Sequence, residues 1–192
     1  VCSWCHTLLM SRTILIPTDF SIESLNLFKA AAQSSLPERV HIVFFHSIYL
    51  SSSIMELLFS SPKEMRESLI TENFRNGCTI IRNKFASSII TDRIEFFHGG
   101  SQAAFQNFLE GNGITEVFIP KNYTFKKPSP RSFDPTPMIL KCHLTKHEVA
   151  WQHFNSVPEK NMLAELFSDN PAVSIFHNLW KQSQQKILGK IV

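Results

Sequence analysis

The stretch that decides the fold is Thr13-Ile14-Leu15-Ile16-Pro17-Thr18-Asp19-Phe20-Ser21, near the start of the 192-residue chain. Its first five residues form a short apolar run, which is typical of a strand buried on both faces of a parallel sheet. Ser21 then predicts a helix N-cap, with Glu23 in the first turn of the following helix. We therefore expect a strand that passes through a short polar loop into a helix.

The alternation of strand and helix patterns continues along the chain. Further strands are predicted at residues 40–46, 94–98, 116–120 and, at an edge, 148–154. Helical spacing of apolar residues fills the intervals, with Pro62 beginning one helix and Ser101 capping another. This order predicts an α/β fold in which an open, parallel, five-stranded sheet is flanked by helices, as in Rossmann-like domains. Two more helices, predicted after Pro158, would form a C-terminal helical extension.

The composition excludes several classes of protein. Hydrophobic residues make up 43% of the chain and charged residues 18%, which suits a domain with a real core. No apolar run approaches the roughly 18 residues of a membrane span, so we expect no membrane association. A net charge of +3 without a dense basic face argues against nucleic-acid binding. The four cysteines form no disulfide framework, which favours a cytoplasmic location.

Two histidine-containing patterns raise the question of a cofactor or metal. Cys2-Ser3-Trp4-Cys5-His6 matches the C-x-x-C-H haem-attachment pattern, but no export signal precedes it. We interpret residues 1–10 as a non-native or disordered N-terminus. His143 and His147 could share one helix face beside Cys142, but no carboxylate ligand accompanies them. We therefore predict neither a metal nor a bound cofactor.

The segment between Arg12 and Ser21, a second strand ending in His46, and a third strand running into Gly99 before a capped helix resemble the universal stress protein family. The resemblance covers about residues 11–154, and the extension at residues 155–192 has no counterpart in it. It implies a five-stranded parallel sheet and a homodimer formed through the fifth strand. It also implies, in many members, an ATP site at the carboxyl ends of the strands.

The resemblance places Thr18, Asp19 and Ser47 where nucleotide-binding members hold adenine. In those members, a glycine-rich motif after the fourth strand brings backbone N–H groups close to the phosphates. Here Pro120 and Tyr123 stand at the two positions expected for the first glycines, and proline has no N–H to donate. We therefore expect that ATP is not bound in the usual way, and Asp19 could instead cap the next helix.

A basic loop at residues 121–131 could replace the missing motif. It contains no acidic residue, and its cations are Lys121, Lys126, Lys127 and Arg131. We expect the loop to lie beside Asp19, where it would either bind an anion or remain a solvated loop held extended by its prolines.

The function predicted from these patterns is a stress-response or regulatory interaction module, homodimeric and with a regulatory protein partner. The alternative is an adenine-nucleotide-binding protein or weak nucleotide hydrolase that uses Asp19 and the basic loop. No catalytic residue can be named, because no nucleophile stands beside a base in a legible motif. Enzymatic activity is therefore not predicted.

Overall fold

A single parallel sheet organises the domain in the computed structural model, which describes residues 12–50 and 61–150. The strands are β1 (Arg12–Pro17), β2 (Val40–Ser47), β3 (Ile89–Phe97), β4 (Glu116–Lys121) and β5 (Thr145–Ala150). The described helices are α1 (Leu25–Ser34), α2 (Pro62–Leu69), α3 (Glu72–Lys84), α4 (Gln102–Gly111) and α5 (Thr136–Lys141). Predictions for residues 1–10, for the C-terminal extension and for the end of the fifth strand lie outside the described residues.

The strand order is β3-β2-β1-β4-β5, and every neighbouring pair is parallel. The predicted fold class is therefore confirmed. The chain builds the sheet outward from β1 through β2 to β3 and then returns to add β4 and β5 on the other side. This reversal of direction lies between β1 and β4, the point at which open α/β sheets form a crevice at their carboxyl edge. Within the described ranges, no helix is long and apolar enough to cross a membrane.

Phenylalanine fills both faces of the sheet, which accounts for much of the high count of 17 in the chain. On one face, Phe44 of β2 packs edge-on against Phe28 and Phe74, with ring centroids 5.0 and 5.5 Å apart. On the other face, Phe45 contacts Phe105 of α4 at 5.4 Å. Each such aromatic pair adds about 0.5–1.5 kcal/mol beyond its burial.

The first helix begins later than predicted, because a tighter turn precedes it. Ser24, not Ser21, is the N-cap of α1, and Glu23 lies outside the helix. The amide of Leu25 bonds to the carbonyl of Ile22 at 3.1 Å, which is the i to i+3 pattern of a 3₁₀ turn. Ser21 does accept a bond from the Ser24 amide (3.2 Å), so its capping hydrogen bond serves this turn.

Both edge strands begin earlier than predicted. β3 starts at Ile89 instead of residue 94, and β5 starts at Thr145 instead of residue 148. Polar residues in their first halves, Thr91 and Asp92 in β3 and Thr145 and Lys146 in β5, interrupt the apolar pattern of a buried strand. The polar groups are accommodated because edge strands are half-exposed, and Asp92 forms an ion pair of 2.6 Å with Arg82 of α3.

The interpretation of His143 and His147 as neighbours on one helix is wrong. α5 ends at Lys141, and His147 belongs to β5. The His147 ring stacks on Phe118, and its Nε2 lies 2.8 Å from Glu116, which is also bonded by Arg12. His147 thus helps to attach the edge strand to the sheet.

Candidate functional site

The chain after β1 turns sharply at the carboxyl edge of the sheet. Phe20 has a φ of 58°, a left-handed conformation that is rare for a bulky residue and costs of order 1–3 kcal/mol. Its ring is buried beside His46 and Phe74, at 4.8 and 5.4 Å, and this packing offsets the strain. The Thr18 hydroxyl accepts the Phe20 amide hydrogen at 3.0 Å and contacts the Ser24 hydroxyl at 2.9 Å. Thr18 is therefore a buried residue that holds this turn.

Asp19 is only 5% exposed, and both carboxylate oxygens accept hydrogen bonds. Oδ1 accepts from the Ser21 amide at 3.1 Å. Oδ2 accepts from the Tyr123 hydroxyl and from the Lys126 amide, the latter at 2.9 Å. Burial, together with the bond to Asp19, raises the pKa of Tyr123 above its ordinary value, so its hydroxyl remains a donor. The basic loop therefore lies against Asp19.

The segment at residues 121–133, here called the strap, contains the basic loop and continues across β2. Its second half forms an antiparallel bridge between Ile48 and Ser132. The Phe133 amide donates to the Ser47 carbonyl at 3.2 Å, and the Ser47 hydroxyl donates to the Phe133 carbonyl. Ser47 is 1% exposed. Ser47 is the residue that the resemblance places beside adenine. Both its hydroxyl and its carbonyl are hydrogen-bonded to the strap.

His46 joins three segments of the site. Its Nδ1 lies 2.8 Å from the Thr18 carbonyl, and its Nε2 lies 2.9 Å from the Ser132 hydroxyl. Because a carbonyl can only accept, Nδ1 carries the proton of the neutral ring and Ser132 donates to Nε2. Burial lowers the pKa of His46, an effect that the Thr18 carbonyl and the Asp19 charge partly oppose. The sequence offered one signal for this role, a histidine at the end of a continuous apolar strand.

The predicted cations lie on the outer side of the strap. Lys121, Lys126 and Lys127 are exposed, and Arg131 is half-exposed. Lys126 Nζ lies 3.2 Å from Glu23, and the Arg131 carbonyl accepts the Tyr49 amide hydrogen at 3.0 Å. The structure therefore separates the predicted site residues into two sets. Thr18, Asp19 and Ser47 are buried under the strap, whereas the four cations lie in the strap itself.

The position at which the resemblance would place the phosphate motif lies at the end of β4. Pro120 is the penultimate residue of that strand, and Asn122 immediately after it has a φ of 58°. Tyr123, at the second expected glycine, points its hydroxyl at Asp19. Among the described residues, no three His, Cys, Asp or Glu side chains come together as a metal site. The arrangement is thus suited to holding the strap in place.

Comparison with known proteins gives a result for the fold only. No protein-family model matches the sequence, and no curated protein matches it. Three similar solved structures are the hypothetical protein MJ0577, a universal stress family protein from Burkholderia pseudomallei and the universal stress protein UspA from Lactobacillus plantarum. Their sequence identities are 16%, 9% and 13%, with TM-scores of 0.48, 0.44 and 0.44. The matches cover 76%, 73% and 73% of this chain and 100%, 97% and 97% of those chains.

The described residues form a Rossmann-like α/β domain with an open, five-stranded parallel sheet. Its crevice lies at the switch between β1 and β4. In this domain, the strap lies over the carboxyl ends of β1 and β2.

Proposed function

We propose that the protein is a stress-response or regulatory interaction module of the universal stress protein type that does not bind ATP in the usual way. In this proposal it acts in the cytoplasm as a homodimer and contacts a regulatory protein partner. Its nucleotide crevice is filled by its own strap, so the strap contributes to a stable surface.

The observation that carries this proposal is the hydrogen bonding of Asp19. The carboxylate already accepts hydrogen bonds from three donors of the chain. These are the Ser21 amide, the Tyr123 hydroxyl and the Lys126 amide. An adenine amino group that took the place of Tyr123 and Lys126 at Oδ2 would leave their donors without this acceptor, which costs about 1–3 kcal/mol for each donor that stays buried. Pro120 adds to this cost, because it offers no N–H to a phosphate.

Thermal unfolding with 1 mM ATP, ADP or AMP tests the proposal. A ligand present at about one hundred times its Kd would stabilise the fold by about 2.7 kcal/mol, which is roughly 5–10 °C for a chain of this size. We expect no shift, and we expect mass spectrometry of the native protein to find no co-purifying nucleotide. A shift of several degrees with any of the three nucleotides, or a bound nucleotide in the native mass, would contradict the proposal.

A second candidate function is adenine-nucleotide binding or weak hydrolysis through Asp19 and the basic loop. The proximity of the Lys126 amide to Asp19 favours it, because the cations of the strap then neighbour the crevice. On this hypothesis Lys127→Glu weakens nucleotide binding, whereas the matched Lys141→Glu, in exposed α5, does not. Equal nucleotide affinities of the two variants would show that the basic loop is not part of the nucleotide site.

A further inference from the structure

The outer edge of β3 is a surface that the proposed function does not use. Within the described part of the chain, β3 pairs only with β2 and ends the sheet on that side. It has nine residues, more than any other strand within residues 12–50 and 61–150. We propose that this edge binds β3 of a second copy, antiparallel, about a two-fold axis at Ile94. The two five-stranded sheets would then form one continuous sheet of ten strands.

Charges along β3 are arranged so that the strand complements itself. Residues directly opposite each other in an antiparallel pair point to the same face. With the axis at Ile94, Arg93 of each copy faces Glu95 of the other, and the two Ile94 side chains meet at the centre. Arg93 and Glu95 are 40% and 38% exposed and form a 3.1 Å ion pair within the chain. An equivalent pair across the interface would replace the bond from Arg93 Nε to Glu95, while Arg93 Nη2 remains bonded to Asn112 Oδ1 at 3.0 Å.

The same charges exclude the neighbouring registers. Moving the axis by one residue places Arg93 opposite Arg93, or Glu95 opposite Glu95, and like charges in opposition destabilise a strand pair. Asp92, which would lie opposite Phe96 of the second copy, is already neutralised by Arg82 at 2.6 Å. The charges of β3 therefore favour an axis at Ile94 over an axis at Arg93 or at Glu95.

A groove of about 470 Å³ lies beside the same edge and supplies apolar contact. Its lining includes Ile94 and Phe96 of β3 together with Ile70 and Arg66, and the Arg66 guanidinium lies 5.6 Å from the Phe96 ring centroid. The Ile94 side chain of the second copy would lie next to this groove. The interface would thus have apolar contacts on the face to which Ile94 points and two ion pairs on the opposite face, to which Arg93 and Glu95 point.

The opposite edge of the sheet is less suited to the same role. In β5, Lys146 and Glu148 could also pair across a two-fold axis, which would lie at His147. However, Lys146 Nζ is held by the carbonyls of Cys142 and Leu144, at 2.6 and 3.3 Å. His147 is held by Glu116. These groups would have to leave their partners, so the observations favour β3 over the fifth-strand dimer implied by the family resemblance.

Charge reversal measured by analytical ultracentrifugation tests this assembly. Arg93→Glu or Glu95→Arg alone converts two attractive pairs into two repulsive ones, and we expect the dimer Kd to rise at least about tenfold. The double variant Arg93→Glu/Glu95→Arg restores both pairs, and we expect its Kd within about threefold of the original. The matched control Glu148→Lys, on the exposed part of β5, should leave the dimer intact.

A disulfide cross-link reports directly which residues of the two β3 strands lie opposite each other. It does not depend on charge variants that could fail to fold. Opposed residues lie about 4.5–5.5 Å apart, within disulfide range. Ile94→Cys should therefore form a covalent dimer on oxidation, whereas Thr91→Cys and the unaltered chain should not. A monomeric native protein, a dimer broken only by Glu148→Lys, or equal cross-linking of the two cysteine variants would overturn the proposal. None of these outcomes depends on whether a nucleotide binds.

Discussion

At the scale of single residues, His46 connects the turn after β1 with the strap. It is 3% exposed, and its two ring nitrogens bond to Thr18 and Ser132, which lie on different segments. The imidazolium form would bring a charge into a site formed by the rings of Phe20 and Phe96, which are 4.8 and 5.8 Å away. The neutral ring is therefore the form that the fold stabilises.

Stability should consequently fall as the pH is lowered past neutrality. The pKa of folded His46 lies below the unfolded value of about 6.5, so the unfolded chain binds the proton more readily. The contribution of the neutral ring is complete above the unfolded pKa and is lost as the pH falls from there towards the folded pKa. Between pH 7.5 and 5.5, we expect the free energy of unfolding in urea to fall through this group.

The comparison with His46→Gln isolates this effect. Burial also lowers the pKa of His98, but His98 is present in both proteins and its contribution cancels in the difference. The stability advantage of the native protein over the variant should shrink across this pH range. An advantage that stays constant with pH would show that His46 does not titrate differently in the folded and unfolded chains.

Residue identity alone predicted part of this site. Asp19 and the basic loop could be placed at one edge of the sheet, because both follow strands whose carboxyl ends meet there. Sequence could not show that Tyr123 would bond to Asp19, because the residues are 104 positions apart and a loop without regular structure brings them together. Nor could it show that Ser132 would reach His46, since that contact depends on the path of the whole strap.

At the scale of elements, the junction between β3 and α4 shows why one glycine of a pair is needed there. A Cβ added at Gly99 would lie 2.5 Å from Cζ of the Phe97 ring and 2.8 Å from Cβ of Ala104. At Gly100 the nearest such contact is 3.8 Å, which is ordinary packing. The strand can thus turn directly into the helix only because Gly99 leaves room for the Phe97 ring.

Gly99→Ala should therefore destabilise the domain by about 1–3 kcal/mol through overpacking. Gly111→Ala is the matched control, since it lies at the last residue of the same helix and its added Cβ meets nothing within 4 Å. That control should be neutral or stabilising by up to about 1 kcal/mol. Equal midpoints in urea denaturation for the two variants would contradict the close approach at Gly99.

Element boundaries were predictable where burial was complete and less so at the sheet edges. β1 and β4 are buried and apolar, and their predicted ranges differ from the observed ones by one residue at a single end. The predicted β3 began five residues later than the observed strand, because Thr91, Asp92 and Arg93 interrupt its apolar pattern. The reason lies in the tertiary structure: the side chain of Asp92 is paired by α3, and that pairing leaves no trace in the local sequence.

At the scale of the whole molecule, the strap connects parts of the sheet that come from distant parts of the chain. It leaves β4, bonds to Asp19 after β1 and then pairs with residues at the end of β2. Polar groups that would otherwise face the crevice are satisfied in this way. The buried carboxylate and the buried histidine are therefore bound to the same segment, and loss of one end of the strap should affect the other.

Asp19→Asn tests whether the strap behaves as one unit. The carboxylate accepts three donors, but an amide has one acceptor oxygen, so in either orientation its NH₂ faces a backbone N–H from Ser21 or Lys126. We expect a loss of about 2–4 kcal/mol in the free energy of unfolding. Hydrogen exchange should become faster at the amides of both Lys126 and Phe133, while that of Val43 in β2 changes only with global stability.

Tyr123→Phe is the control, because it removes one hydroxyl donor and keeps the carboxylate, with an expected loss of about 1 kcal/mol. If Asp19→Asn accelerates exchange at Lys126 but leaves Phe133 as protected as in the native protein, the two ends of the strap open independently. Joint acceleration would mean that the crevice opens only when the strap detaches from both strands. A ligand entering the crevice would then have to overcome the contacts of Asp19 and those of Ser47 together, which is the energetic basis of a filled crevice.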